Sequence, residues 1–308
     1  MLHHKEKSEE GAFLRQEDQF RSWVGKGGSS KFPVASGRYH LYVSLACPWA
    51  HRTIIVRKLK KLENVIGMTV VDPIRDERGW GFTDEKDPIN GFEYLGQAYD
   101  FSDSRYEARV TVPVLWDIKT SQIVSNCDDD IMRMLNSTFD DFTDSNLDLY
   151  PVELRSEIDE INDLIYSNVN DGVYRSGFAK TQNAYEAAVH KLFKTLDLLE
   201  SRLSEHRYLT GNRLTEADWR LFPTLIRFDA VYHGHFKCNL KRIIDYPNLY
   251  GYMCDLYHHD GIAETVDFDH IKRHYYMTHP EINPTKIVPV GPSFKCDASH
   301  NRARLSND

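Results

Sequence analysis

At 308 residues the chain is long enough for one large domain or two modest ones, each able to bury a core. Its 38 Lys and Arg against 46 Asp and Glu leave a net charge of −8 and a pI near 6.0, so no global basic field awaits nucleic acid or an anionic membrane. With 41% apolar residues, 12% aromatic residues and a mean hydropathy of −0.53 it reads as globular, and no stretch approaches the roughly 18 apolar residues of a membrane span.

The opening Met1-Leu-His-His-Lys-Glu-Lys-Ser-Glu-Glu10 is charged and lacks the apolar run of a secretory signal, so a cytoplasmic chain is expected. Residues 1–37 read as a polar extension. Arg38-Tyr-His-Leu-Tyr-Val-Ser44 alternates and predicts a strand, and from His51 to Leu62 the apolar positions Ile55, Leu59 and Leu62 share one helical face. Val65-Ile-Gly-Met-Thr-Val-Val71, closed by Asp72-Pro73, predicts a second, buried strand and completes a βαβ unit. A Gly- and Asp-rich insertion over 72–109 carries Gly79-Trp80-Gly81-Phe82; loops of such length tend to be functional. Val110-Thr-Val-Pro-Val-Leu-Trp116 and Gln122-Ile-Val124 predict a hairpin, followed by a helix over 128–135. This gives a first domain over 38–135.

Residues 136–150 are acidic and polar, lose periodicity and read as a linker. Beyond them the pattern is helical over 151–292. Leu192, Leu196, Leu199 and Leu203 repeat at helical spacing, segments near 152–169, 216–230 and 248–258 behave alike, and the tail 293–308 is expected to be loosely held. Leu214-Thr215-Glu-Ala-Asp218-Trp219 predicts a capping box with Thr215 at the N-cap and Asp218 at N3.

The five cysteines Cys47, Cys127, Cys238, Cys254 and Cys296 are odd in number and contain no CxxC pair, so neither a disulfide framework nor a zinc ribbon is expected and the thiols are read as reduced. Cys47 stands apart, because Cys47-Pro48-Trp49-Ala50 falls where a strand ends and a helix begins. Proline suits the first helical position, which places Cys47 at the N-cap. There the unpaired N–H groups and the positive end of the helix dipole favour a thiolate over a thiol of ordinary pKa about 8.5. With no second cysteine three residues on, any disulfide it forms must be cleared by an external small thiol. Pro113 in a strand pattern belongs at an edge or a special turn and is a candidate for a cis bond. His270 and His274 sit at i and i+4, but Ile271 stands where a metal-binding HExxH needs Glu, and no metal is expected.

This order of elements resembles a thioredoxin-fold glutathione transferase: an α/β domain followed by an all-α domain. More narrowly, Tyr42-Val-Ser-Leu-Ala-Cys-Pro-Trp-Ala-His-Arg52, Thr111-Val-Pro-Val-Leu-Trp116, Gly172-Val-Tyr-Arg-Ser-Gly-Phe-Ala179, Ile226-Arg-Phe-Asp-Ala-Val-Tyr232 and Asp267-Phe-Asp-His-Ile-Lys-Arg-His-Tyr275 resemble the Xi class, the glutathionyl-hydroquinone reductases. The resemblance implies reduction of a glutathionyl-hydroquinone through Cys47, with glutathione as co-substrate, no bound cofactor and a homodimeric enzyme. It implies a glutathione site including Trp80, Arg109, Val112 and Pro113, and an aromatic site formed by Tyr174, Tyr232 and Tyr275. Where that family usually carries Glu-Ser, this chain reads Cys127-Asp128, which leaves glutathione or another small thiol as the donor. The competing readings are an Omega-like thioltransferase or dehydroascorbate reductase using the same cysteine, and a non-catalytic transferase-fold binding protein.

Overall fold

The computed structural model describes residues 6, 8–27, 29–82, 86–296 and 300–306, and divides the chain into two compact units. One comprises Gln16–Asp148 with Glu264–Thr278; the other comprises Leu149–Ala263 with the chain before Gln16 and after Thr278. Neither unit is contiguous in sequence, unlike the expected 38–135 and 151–292.

In the first unit two short strands, β1 (Val24–Gly25) and β2 (Phe32–Pro33), pair in parallel. A four-stranded sheet follows from β3 (Tyr39–Val43), helix α1 (Pro48–Leu59), β4 (Ile66–Val70), helix α2 (Gly96–Ser102), β5 (Val114–Asp117), β6 (Gln122–Ser125) and helix α3 (Asp128–Ser137). The strand order is β4-β3-β5-β6, with β3 and β4 parallel and the other two pairings antiparallel. The βαβ unit and the hairpin are therefore where the sequence puts them. Strand β5 begins only after Pro113 and runs inside the sheet, so the proline marks a special turn and not an edge strand; the Val112–Pro113 bond is cis.

Three polar segments turn out to be structural. The polar lead-in from Gln16 is tied to the sheet unit, because Ser22 N donates to Val124 O at 3.0 Å and Arg21 forms a two-pronged pair with Asp130 at 2.7 and 2.8 Å. The acidic stretch after α3 closes the end of α1: Lys60 Nζ donates to Asp140 Oδ1 at 2.8 Å and to Leu147 O at 2.7 Å, and Thr143 Oγ1 donates to Lys60 O at 2.6 Å. Its polarity serves capping. The insertion holds a helix that periodicity did not announce, α2, whose Ala98 and Tyr99 are buried.

The second unit contains α4 (Arg155–Ile165), α5 (Gly172–Gly177), α6 (Gln182–Glu205), α7 (Glu216–Arg227) and α8 (Pro247–Tyr257). Residues 166–170 and 228–232 widen into π turns after α4 and α7. The leucine stripe of α6 is buried, as its spacing requires. The capping box at α7 is present: Asp218 accepts from Thr215 N at 2.8 Å, from Leu209 N at 2.9 Å and from the Tyr252 hydroxyl at 2.8 Å. A last helix, α9 (Phe268–Thr278), belongs with the sheet of the first unit.

Two expectations are corrected at the carboxyl end. Cys254 and Cys296 form a disulfide, so not every thiol is reduced; a 42-residue spacing carries no pairing signal. Within the tail, buried Arg302 is held rather than loose: it donates to Leu203 O and His206 O at 2.6 Å and to Arg207 O at 2.8 Å, filling carbonyls left open where α6 ends. Among the described residues no helix is long and apolar enough to cross a membrane.

Candidate active site

Strand β3 delivers the chain to α1 through a turn set by Ser44, whose carbonyl accepts from Cys47 N at 3.1 Å and whose hydroxyl accepts from Ala46 N at 3.3 Å. Cys47 takes the N-cap with φ −79° and ψ 122°, and Pro48 the first helical position. The half-buried thiol donates to Val112 O at 3.5 Å, beside the cis bond to Pro113. The first turn of α1 holds no acidic residue. A helix N-terminus with no acid in its own first turn and a sulfur not fully buried are conditions that favour a thiolate nucleophile.

Cys127 offers a contrast within the same unit. It too is an N-cap residue, at α3, but it is buried and followed by Asp128, Asp129 and Asp130. Burial, and then the neighbouring carboxylates, push its thiol far above the ordinary range. Cys127 is thus a protonated, inert side chain. Cys238, in the helical unit, is likewise pushed up to about 12 by burial.

Asp128 does not project an isolated charge. Arg52 of α1 donates to its Oδ2 at 2.7 Å, lies 3.6 Å from Asp129 Oδ1, and rests its guanidinium 4.4 Å from the Trp49 ring centroid. The negative charge of Asp128 is therefore offset within the protein. Arg52 closes the Cys-Pro-Trp-Ala-His-Arg motif, but its partner lies 76 residues away and leaves no local signal in the sequence.

The other site residues fall into separate environments. Trp80 is buried, 5% exposed, with its ring stacked on that of His274 at 5.0 Å and 16°. The backbone of half-buried Arg109 is gripped by Gln16, which accepts from Arg109 N at 2.8 Å and donates to Arg109 O at 3.0 Å. Tyr275 is buried on α9 beside His274. In the helical unit, half-exposed Tyr174 lies 6.1 Å from buried Tyr232, which stacks on Phe236 at 5.6 Å. Arg15 places its guanidinium 4.7 Å from the Tyr174 ring and pairs with Asp171 at 2.6 Å. Cys47, Val112, Pro113, Trp80 and Tyr275 thus belong to one unit, Tyr174 and Tyr232 to the other. Among the described residues no three His, Cys, Asp or Glu side chains gather as a metal site.

A mixed sheet whose first helix starts at a cysteine, followed by a helical unit, is the architecture of a glutathione transferase, and residues 182–253 match the glutathione S-transferase C-terminal domain. The chain is 51% identical to the glutathionyl-hydroquinone reductase YqjG of Escherichia coli, over 96% of this chain and 94% of that protein. It is 52% identical to the glutathionyl-hydroquinone reductase PcpF of Sphingobium chlorophenolicum, over 93% and 92%. The glutathione-bound structure of YqjG matches with a TM-score of 0.89 at 52% identity, covering 92% of this chain and 96% of that one. The Xi glutathione transferase of Phanerochaete chrysosporium matches with a TM-score of 0.88 at 50% identity, covering 91% and 97%. The chain belongs to the Xi class of glutathione transferases, the glutathionyl-hydroquinone reductase family.

Proposed function

We propose that this chain reduces S-glutathionyl-hydroquinones to hydroquinones at the expense of glutathione, with Cys47 as the nucleophile. The supporting observation is the setting of Cys47: an N-cap thiol, half-buried, with no acidic residue in its helix's first turn. The Cys47 thiolate attacks the sulfur of the conjugate, a sulfur–sulfur bond forms, and the carbon–sulfur bond breaks with its electron pair on the ring carbon. That carbon takes a proton, and the hydroquinone leaves. A glutathione thiolate then attacks the Cys47 mixed disulfide, giving glutathione disulfide and returning Cys47 as thiolate. Two glutathionyl groups leave joined, so each turnover consumes one glutathione.

The carbonyl of Val112 and the turn at Pro113 offer an extended thiol peptide a main-chain partner. Trp80 and Arg109 complete this thiol side in our reading, with Cys127-Asp128 at the head of α3 near the γ-glutamyl end. Tyr174, Tyr232 and Tyr275 receive the aromatic ring and a tyrosine hydroxyl delivers the proton. The working enzyme is read as a cytoplasmic homodimer.

The test is release of free hydroquinone from a glutathionyl-hydroquinone with glutathione as donor, by wild type and Cys47→Ala. Turnover confined to wild type is expected. A wild type that stays silent with glutathione and other small thiols would overturn the reading in favour of a binding protein.

A further inference from the structure

The two ring-bearing residues assigned above to opposite sides of the conjugate, Trp80 and Tyr275, are joined by a residue to which no role has been given. His274 lies flat against Trp80, ring centroids 5.0 Å apart and planes within 16°, and it directly precedes Tyr275 on α9, whose ring stands edge-on to it at 5.3 Å and 80°. The imidazole is fixed in its plane as well as stacked. Its Nδ1–H donates to Pro73 O at 2.7 Å, since a carbonyl can only accept, so the proton is on Nδ1 and the ring cannot turn without losing a buried hydrogen bond. Pro73 and Trp80 bracket the start of the insertion, and the Trp80 carbonyl is held in turn by Leu95 N at 2.9 Å. Arg75 adds a guanidinium 5.2 Å from the Trp80 ring centroid. One helix late in the chain therefore sets the position of a loop some 200 residues earlier, as the 201-residue separation of His274 and Pro73 records.

We infer that His274 is a positioning residue for the reaction: it holds Trp80 and Tyr275 in one register, so that the thiol-bearing and ring-bearing ends of the conjugate are placed by the same turn of α9. The inference rests on the proposed roles of Trp80 and Tyr275. Two substitutions separate its parts: His274→Phe keeps the stacked ring and loses the donor to Pro73, whereas His274→Asn keeps a donor and loses the ring. Neither substitution touches Cys47.

The experiment measures KM for glutathione and kcat with the full-length enzyme, for both substitutions, alone and combined with Trp80→Ala. Loss of a stacked aromatic pair predicts a KM rise of roughly 3- to 10-fold in His274→Asn, with a smaller rise in His274→Phe and kcat within about 2-fold. In the Trp80→Ala background His274→Asn should add no further rise in KM for glutathione, because the ring it positions on the thiol side is gone. An equal rise in both backgrounds, or a fall in kcat at unchanged KM, overturns the inference. Should His274→Asn fail to fold, the His274→Phe pair of measurements decides by the same criterion. Unchanged KM in Trp80→Ala alone would remove Trp80 from the thiol side and the inference with it, while loss of turnover in Cys47→Ala, measured alongside, scores the Cys47 chemistry separately.

Discussion

Arg52 Nη1 donates to Asp128 Oδ2 at 2.7 Å and so ties the helix that starts at Cys47 to the helix that starts at Cys127. The Arg52 side chain is 1% exposed and that of Asp128 13%. Burying this charge pair costs desolvation, and removing one member leaves the other unmatched at a cost of about 3–5 kcal/mol. Arg52→Met is therefore expected to destabilise the enzyme strongly, and Arg52→Met with Asp128→Leu to recover part of the loss. Denaturant unfolding of the two variants checks it; equal stability of both would mean that the pair is not coupled.

The cysteines should sort by environment when the native enzyme is alkylated at neutral pH and digested for mass spectrometry. Cys47 is expected to react first, while Cys127 and Cys238, whose thiols burial holds protonated, stay unmodified until the chain unfolds. Cys254 and Cys296 should react only after reduction of their bond. Labelling of Cys127 ahead of Cys47 would contradict the assignment of the nucleophile.

How far the sequence reveals this site can be judged from the same two N-cap cysteines. Pro48 announces the start of α1, and the alternating strand before it announces a turn, so Cys47 is legible from local signals alone. Cys127 also follows a strand and caps a helix but has Asp128 where Cys47 has Pro48, and what silences it is burial together with three carboxylates, of which only the carboxylates can be read in advance. The capping box at Thr215 was legible for the same reason as Pro48: both partners lie within one turn. Arg52 with Asp128, His274 with Pro73 and Cys254 with Cys296 were not legible, because each joins residues that only tertiary packing brings together. The polar run after α3 misled for a related reason. Its acids and hydroxyls look solvated until Lys60 and the open end of α1 are placed against them.

The capping box also gives a pH signature. Asp218 is fully buried, and burial raises its carboxyl to about 6 despite the hydrogen bonds it accepts from Leu209, Thr215 and Tyr252. A folded value above the unfolded one means that the native state holds the proton more tightly, so stability from this group is full below about 4 and is lost as pH rises toward 6 and beyond. The difference between about 6 folded and the ordinary 3.8 corresponds to about 3 kcal/mol. Asp218→Asn, which cannot titrate, should flatten the fall in Tm between pH 4 and 6.5 relative to wild type. Parallel curves for the two proteins would refute the linkage. Thr215→Ala, which removes the cap together with the hydroxyl's contacts to Asp218 Oδ2 and Thr210 Oγ1, both at 3.3 Å, should cost about 0.5–2 kcal/mol.

Gly177 ends α5 where the Phe236 ring comes closest: a methyl group placed on its Cα would lie 2.2 Å from Phe236 Cγ and 2.3 Å from Cδ1. Phe236 cannot yield cheaply, because it stacks on Tyr232 and packs edge-on to Tyr174 at 5.4 Å. Gly177→Ala is therefore expected to destabilise by about 1–3 kcal/mol through overpacking. Because the displaced ring supports Tyr174 and Tyr232, two of the three tyrosines assigned to the aromatic substrate, KM for the glutathionyl-hydroquinone should rise more than KM for glutathione. Steady-state kinetics with each substrate varied in turn distinguishes this from general loss of fold, which would lower the active fraction and leave both KM values where they are.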